Sequence, residues 1–142
     1  MGEFVAEVPL RWSDMDAFGH VNHARTVTLL EEARVGMLFA EAGRRGLLGM
    51  AEGMVVARVA VDYHAPVDHR EGPLQVRMTV RDLRAASFAI DYEASARGAR
   101  VATAETLMVP YDLGAGRPRR LTPAEREFLA EWRSVDEEAG GA

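Results

Sequence analysis

Cysteine is absent from the 142-residue chain, which excludes a disulfide scaffold, a thiolate nucleophile and every cysteine-ligated zinc or iron–sulfur site. An excess of positive charge is missing too. Lys and Arg total 17 against 22 Asp and Glu, a formal charge of -5. Nucleic-acid binding draws on clustered cations that release counterions, so no nucleic-acid partner is expected. No apolar run approaches the roughly 20 residues that a membrane-spanning helix needs. Met1 to Leu10 carries Glu3 and Glu7 and has neither the basic start nor the apolar stretch of a targeting segment, so the expected location is the cytoplasm.

What remains is a globular composition. With 48% hydrophobic and 27% charged residues, 13 Gly and 6 Pro, the chain lies far from disorder and from collagen. Its length suits one compact domain, expected over residues 1–135, with the acidic, Gly- and Ala-rich residues 136–142 as a flexible tail. A chain of this size buries roughly 68% of its unfolded surface, enough for a core without metal or disulfide support.

Hydrophobic periodicity orders the elements. Phe4, Ala6, Val8, Leu10 and Trp12 alternate with polar positions as in a half-buried strand, and Pro9 points to an edge or irregular stretch. From Asn22 to Arg45 the period becomes helical, with Asn22 as N-cap and Leu29, Leu30, Ala33, Met37 and Ala40 as the apolar stripe. Val35, Leu38 and Phe39 widen that stripe, so the helix is expected to be buried on most sides. Gly36 inside it suggests a close backbone approach. After Gly53 the period returns to two: Val55 to Tyr63, Leu74 to Arg81, Phe88 to Tyr92, and Val101 to Tyr111, with a hairpin turn at Arg97–Ala99. These four runs read as an antiparallel meander. Thr122-Pro123-Ala124-Glu125 is a capping box opening a short helix with Phe128, Leu129 and Trp132 on its apolar side. One long apolar helix and one antiparallel sheet predict an α+β fold in which a curved sheet wraps the helix. Apolar side chains on the other sheet face would favour dimerisation.

Chemistry-bearing side chains concentrate between Asp14 and His23: two carboxylates, two imidazoles and an Asn beside a helix N-terminus. A carboxylate can act as nucleophile or general base, and free N–H groups at a helix start can polarise a carbonyl and hold an oxyanion. Those are the parts of acyl transfer. Plainer roles stand beside them: Asp14 or Asp16 can cap a turn or favour the helix dipole. His20 and His23 lack a third ligand, so hydrogen-bonded structure is preferred to a metal pair, and no metal or cofactor is expected. Glu31 and Glu32 find the simplest partners in Arg34 or Arg25. Tyr63 and His64, at a strand end before Pro66, either line a cleft or pack.

Arg11-Trp12-Ser13-Asp14-Met15-Asp16-Ala17-Phe18-Gly19-His20-Val21-Asn22-His23-Ala24, followed by Leu30-Glu31-Glu32-Ala33-Arg34, resembles the signature of hotdog-fold acyl-CoA thioesterases of the 4-hydroxybenzoyl-CoA thioesterase type. The resemblance continues through Asp62-Tyr63-His64-Ala65-Pro66 to Asp112-Leu113-Gly114. It implies a hotdog fold and hydrolysis of a fatty or aromatic acyl-CoA. Asp16 would be the catalytic carboxylate, and the His23 backbone N–H would polarise the thioester carbonyl, with the His23 imidazole assisting. Gly19 would let the loop turn, and His20 and Asn22 would shape a Gly-His-Val-Asn variant of it. Thr26 stands where the family usually has an aromatic residue, opening the acyl pocket that Tyr63 would also line. The resemblance further implies a homodimer or homotetramer with the active site at the dimer interface. Arg70, Arg77 and Arg81 are candidates for the CoA phosphates. The competing expectations are an acyl-carrier-protein thioesterase, a hotdog hydratase or dehydratase, and a non-catalytic acyl-thioester-binding protein.

Overall fold

The computed structural model describes residues 2–134, so the expected tail at 136–142 and the end of the 1–135 domain lie outside the described residues. Six strands form one antiparallel sheet: β1 (Phe4–Val8), β2 (Met54–Tyr63), β3 (Leu74–Arg81), β4 (Phe88–Ala96), β5 (Ala99–Asp112) and the two-residue β6 (Arg117–Pro118). The spatial order is β1-β3-β4-β5-β2, with β6 pairing the end of β5. Between β1 and β2 runs the helical segment: α1 (His23–Val35), a π-helical stretch (Gly36–Glu41) and the short α2 (Ala42–Arg44). One turn, α3 (Gly49–Glu52), precedes β2, and α4 (Pro123–Ala130) follows the sheet.

The core lies between the helix and the concave sheet face. Leu29, Leu30, Ala33, Met37 and Leu38 meet Val76, Met78, Val80, Phe88, Ile90 and Met108, all essentially removed from solvent. Full burial of each large side chain stabilises by about 1.5–3 kcal/mol, so this one interface dominates the folded state. The expected alternation is met closely in β3, where Leu74, Val76, Met78 and Val80 are buried and the intervening residues are not. At the C-terminus the capping box forms as expected: Glu125 N–H donates to Thr122 Oγ1 (3.1 Å) and Thr122 N–H to Glu125 Oε1 (2.8 Å).

Four expectations are corrected. The helix is not buried on most sides, since Val35 and Phe39 face outward while Leu38 is covered. Gly36 marks no tight approach, because an added Cβ would meet only the Phe4 ring at an ordinary 3.7 Å. It opens the π-helical stretch instead, where Ala42 N–H reaches back to the Met37 carbonyl. The later strands are not a simple meander either. β3, β4 and β5 are consecutive neighbours, but β2 pairs β5 from the far edge. Finally, the strict alternation read from Val55 to Tyr63 is broken by a bulge at Ala57, since Val56 pairs Met108 while Arg58 pairs Leu107. Directly paired residues share a face. Val56 therefore lies on the core side before the bulge, and Val59, Val61 and Tyr63 lie there after it.

The convex face carries ion pairs rather than the apolar side chains that would favour a face-to-face dimer. Arg81 contacts Asp82, Asp91 and Glu105, Arg58 also reaches Glu105, and Arg77 lies near Glu3. Apolar surface is also exposed along the β2 edge, where Val55, Val56 and Val59 are each more than a third exposed.

The entry into β2 depends on one glycine. Tyr111 N–H donates to the Gly53 carbonyl (3.1 Å), and a Cβ on Gly53 would sit 2.1 Å from the Tyr111 carbonyl oxygen. Backbone offers no rotamer escape, so Gly53→Ala forces β2 away from β5. The expected loss is about 3 kcal/mol, at the upper end for overpacking, measured as a lowered urea midpoint against the wild type.

Candidate active site

The Asp14–His23 loop is closed at its base by backbone. Asn22 N–H donates to the Asp14 carbonyl (3.0 Å), and Met15 and Val21 form an isolated antiparallel bridge. The tip is a tight turn in which Gly19 N–H donates to the Asp16 carbonyl (3.1 Å) and Asp16 N–H to the His20 carbonyl (3.0 Å). Gly19 has φ +80, a left-handed conformation that costs a side-chain-bearing residue strain.

The two carboxylates separate by environment. Asp14 is 1% exposed, and its Oδ2 accepts the Arg11 N–H (2.8 Å) to close a 3-10 turn. Arg11 Nη2 lies 3.5 Å from Asp14 Oδ1 and 3.9 Å from Glu32. Asp14 is therefore committed to holding the loop. Asp16 is only partly covered: Oδ1 accepts the Phe18 N–H (2.9 Å) and Oδ2 accepts from Asn22 Nδ2 (3.1 Å). Those two bonds, first the Phe18 N–H and then Asn22, hold the carboxyl below the usual aspartate range. Asp16 is thus ionised at neutral pH. The sign follows: its contribution to loop order is present above the unfolded pKa and is lost as pH falls through the depressed one.

Helix α1 begins at His23, with Asn22 as the expected N-cap: Asn22 Oδ1 accepts the Ala24 N–H (2.9 Å), and the Asn22 carbonyl accepts from Thr26 (3.1 Å). The His23 and Arg25 N–H groups find no acceptor among the described residues, leaving free donors at the positive end of the helix. The Tyr63 hydroxyl donates to the His23 carbonyl (2.7 Å), and the two rings meet edge to face with centroids 6.5 Å apart. Burial pushes the Tyr63 phenol up. His64 Nε2 lies 2.9 Å from Thr103 Oγ1.

Beside this helix end a cavity of about 380 Å³ opens between α1 and the sheet. His20, His23, Tyr63 and His64 are among its polar lining residues, and Leu29, Leu74, Ala94 and Ala102 belong to its apolar wall. Thr26, 9% exposed, lines it from the helix. The size falls in the ordinary small-molecule range, and among the described residues no Asp, Glu, Lys or Arg lines it. Of the candidate site residues, the structure brings His20, His23, Thr26 and Tyr63 together here. Asp16 and Asn22 line a separate groove with Asp14, Arg25 and Thr28, and Gly19 lines neither space. Sequence reasoning missed Leu74, Ala94 and Ala102, since a β-face pattern marks them as core without saying that the core is hollow there. It paired Arg25 with a helix carboxylate, whereas Arg25 has no ion-pair partner among the described residues. Glu31 does pair Arg34 (3.3 Å). The three arginines named for phosphate are engaged within the chain: Arg70 with Asp68 (2.9 Å), Arg77 with Glu3 (3.8 Å), and Arg81 with three carboxylates. Among the described residues no group of three or more His, Asp or Glu side chains could hold a metal ion, and no helix is long and apolar enough to cross a membrane.

Known structures share this fold. A Thermus thermophilus thioesterase complexed with coenzyme A and zinc is 28% identical, with 90% of this chain and 92% of that one covered and a TM-score of 0.75. A 1,4-dihydroxy-2-naphthoyl-CoA thioesterase from Synechocystis is similar in fold at 21% identity, covering 95% and 98% with a TM-score of 0.75. A predicted thioesterase from Bacillus stearothermophilus likewise superposes with a TM-score of 0.78 at 21% identity, covering 93% and 97%. No curated protein matches the sequence significantly. The family model of the thioesterase-like superfamily matches residues 10–132, spanning the loop, the helix, every strand but β1, and α4; the chain belongs to that superfamily.

Proposed function

We propose that this thioester hydrolase cleaves acyl-CoA, of aliphatic or aromatic acyl group, to the free acid and CoA, on the hotdog fold of the 4-hydroxybenzoyl-CoA thioesterase type. The observation that carries the reading is the placement of an ionised, partly exposed Asp16 one side chain away from the free N–H groups of α1. Asp16 attacks the thioester carbonyl, directly or through a water that it deprotonates. The oxygen that gains charge is held by the His23 N–H, with the imidazole beside it. Collapse of the tetrahedral species breaks the C–S bond, and the thiolate leaves as CoA thiol with a proton that comes from the water; on direct attack that water cleaves the acyl–Asp16 anhydride, giving the free acid and restoring the carboxylate. Removing one donor of such a pair typically costs about 10²–10³ in rate. Coenzyme A bound to the Thermus relative supports CoA over acyl-carrier protein as the leaving group.

The acyl group fits the apolar cavity, with Thr26, His20 and Tyr63 at its walls. Asp16 and the cavity open on different sides of the helix start in one protomer. A homodimer joined at β2 reconciles them, each Asp16 serving a pocket completed by the other copy, and two such dimers would make a tetramer. The uncovered backbone edge and exposed valines of β2 support that joint.

Thiol release from short, long and aromatic acyl-CoAs tests the reaction. Wild type is expected to turn over, and Asp16→Asn to lose about 10²–10⁴-fold in kcat with an unchanged circular dichroism spectrum; an Asn variant of full activity would sink the assignment. Val59→Asp, which places a charge on the β2 edge, is expected to shift the light-scattering mass to that of a monomer and to abolish turnover. An active monomer would remove the shared-site reading.

A further inference from the structure

We propose that Asn22 is a positioning residue, whose single amide fixes the Asp16 carboxylate against the helix that supplies the carbonyl-polarising N–H groups. The inference rests on the hydrolytic reading in taking Asp16 as the attacking group. Its basis is that two partners dictate how the amide must lie. Ala24 N–H can only donate, so the atom 2.9 Å from it is Oδ1. Nδ2 then faces Asp16 Oδ2 at 3.1 Å, where only a donor is welcome. The backbone of Asn22 is as constrained: its N–H donates to Asp14 and its carbonyl accepts from Thr26. The main chain, one side-chain donor and one side-chain acceptor are therefore engaged within the fold. Its place in the sequence motif is explained by what it holds.

The physical gain is rigidity between two parts that must act together. A carboxylate on a loop tip would otherwise sample rotamers, and a misplacement of about 1 Å costs on the order of 100-fold in rate. Through Asn22 the attacking oxygen moves with the helix start as one body. The other ionisable groups around Asp16 are His20 from the loop, Arg25 from α1 and Asp14 from the 3-10 turn. Asp14 is tied to Arg11, so Asn22 is the only side chain among the described residues that hydrogen-bonds the Asp16 carboxylate.

Two substitutions separate the capping role from the holding role. Serine and aspartate both cap helices as well as asparagine does, so Asn22→Ser and Asn22→Asp are expected to melt near the wild type. Both lose the amide donor, and Asn22→Asp adds a second negative charge. The Asp16 carboxyl carbon, followed by NMR without any substrate, is expected to titrate at higher pH in Asn22→Ser and higher again in Asn22→Asp. With acyl-CoA, kcat is expected to fall about 100-fold at unchanged KM, and the acidic limb of the kcat profile to move up with the titration. An Asp16 titration that stays put in both variants overturns the proposal, as does a loss that falls on KM alone. If Asp16→Asn retains turnover, the assignment of Asp16 as the attacking group fails by itself, and the substrate-free titration still decides whether Asn22 holds the carboxylate.

Discussion

The first turn of α1 is the point on which the rest of the molecule depends. A helix start must dispose of four backbone donors. Here the Asn22 N–H goes to the Asp14 carbonyl and the Asn22 side chain takes Ala24, which leaves His23 and Arg25 uncommitted. Full capping would give a slightly more stable helix and remove the donors on which the proposed carbonyl polarisation draws. The remainder of the helix offsets the omission by burying Leu29, Leu30, Ala33 and Met37 against the sheet, so the exposed donors are carried by an element that cannot shift. The Tyr63 hydroxyl on the His23 carbonyl and the Val67 carbonyl accepting from Val21 fasten the same region from the sheet side.

Much of this was legible in the residues. The Asn22 cap, the β3 alternation, the Thr122–Glu125 box and the crowding of carboxylates and imidazoles before the helix are local patterns, and local physics produced them as read. The parts that escaped were non-local. Periodicity shows that Val55 to Tyr63 is a strand but not which edge it joins. An inserted bulge residue at Ala57 is invisible because an extra alanine breaks no composition rule. Pattern could not tell Asp14 from Asp16 either. Their difference is created by the 3-10 turn that buries one and leaves the other half open, and only the resemblance ranked them beforehand. The arginines named for phosphate fared similarly: charge is visible in a sequence, whereas the carboxylates that occupy it are brought to it by the fold.

The sheet divides its labour by face. Its concave side is apolar and hollow near the helix start, which suits an acyl group. Its convex side carries exposed ion pairs that contribute little each to stability. That side is well solvated and gives no incentive for another sheet to stack on it. The β2 border is different, since main-chain polar groups and exposed valines lie together there. The hollow lies near one end of this unpaired border, and the proposed sharing of a site between copies draws on that neighbourhood.

The π-helical stretch at Gly36–Glu41 has an evolutionary consequence. It accommodates one residue more than regular winding would between its ends. The two halves of the helix are thereby decoupled in angular phase. The first half carries the loop and its donors. The second leads to Arg45, whose guanidinium lies 5.2 Å from the Phe128 ring centroid and pairs with Glu131. Single-residue insertions or deletions arising in this stretch can be absorbed by rewinding one turn, so lineages could drift in helix length without retuning either end.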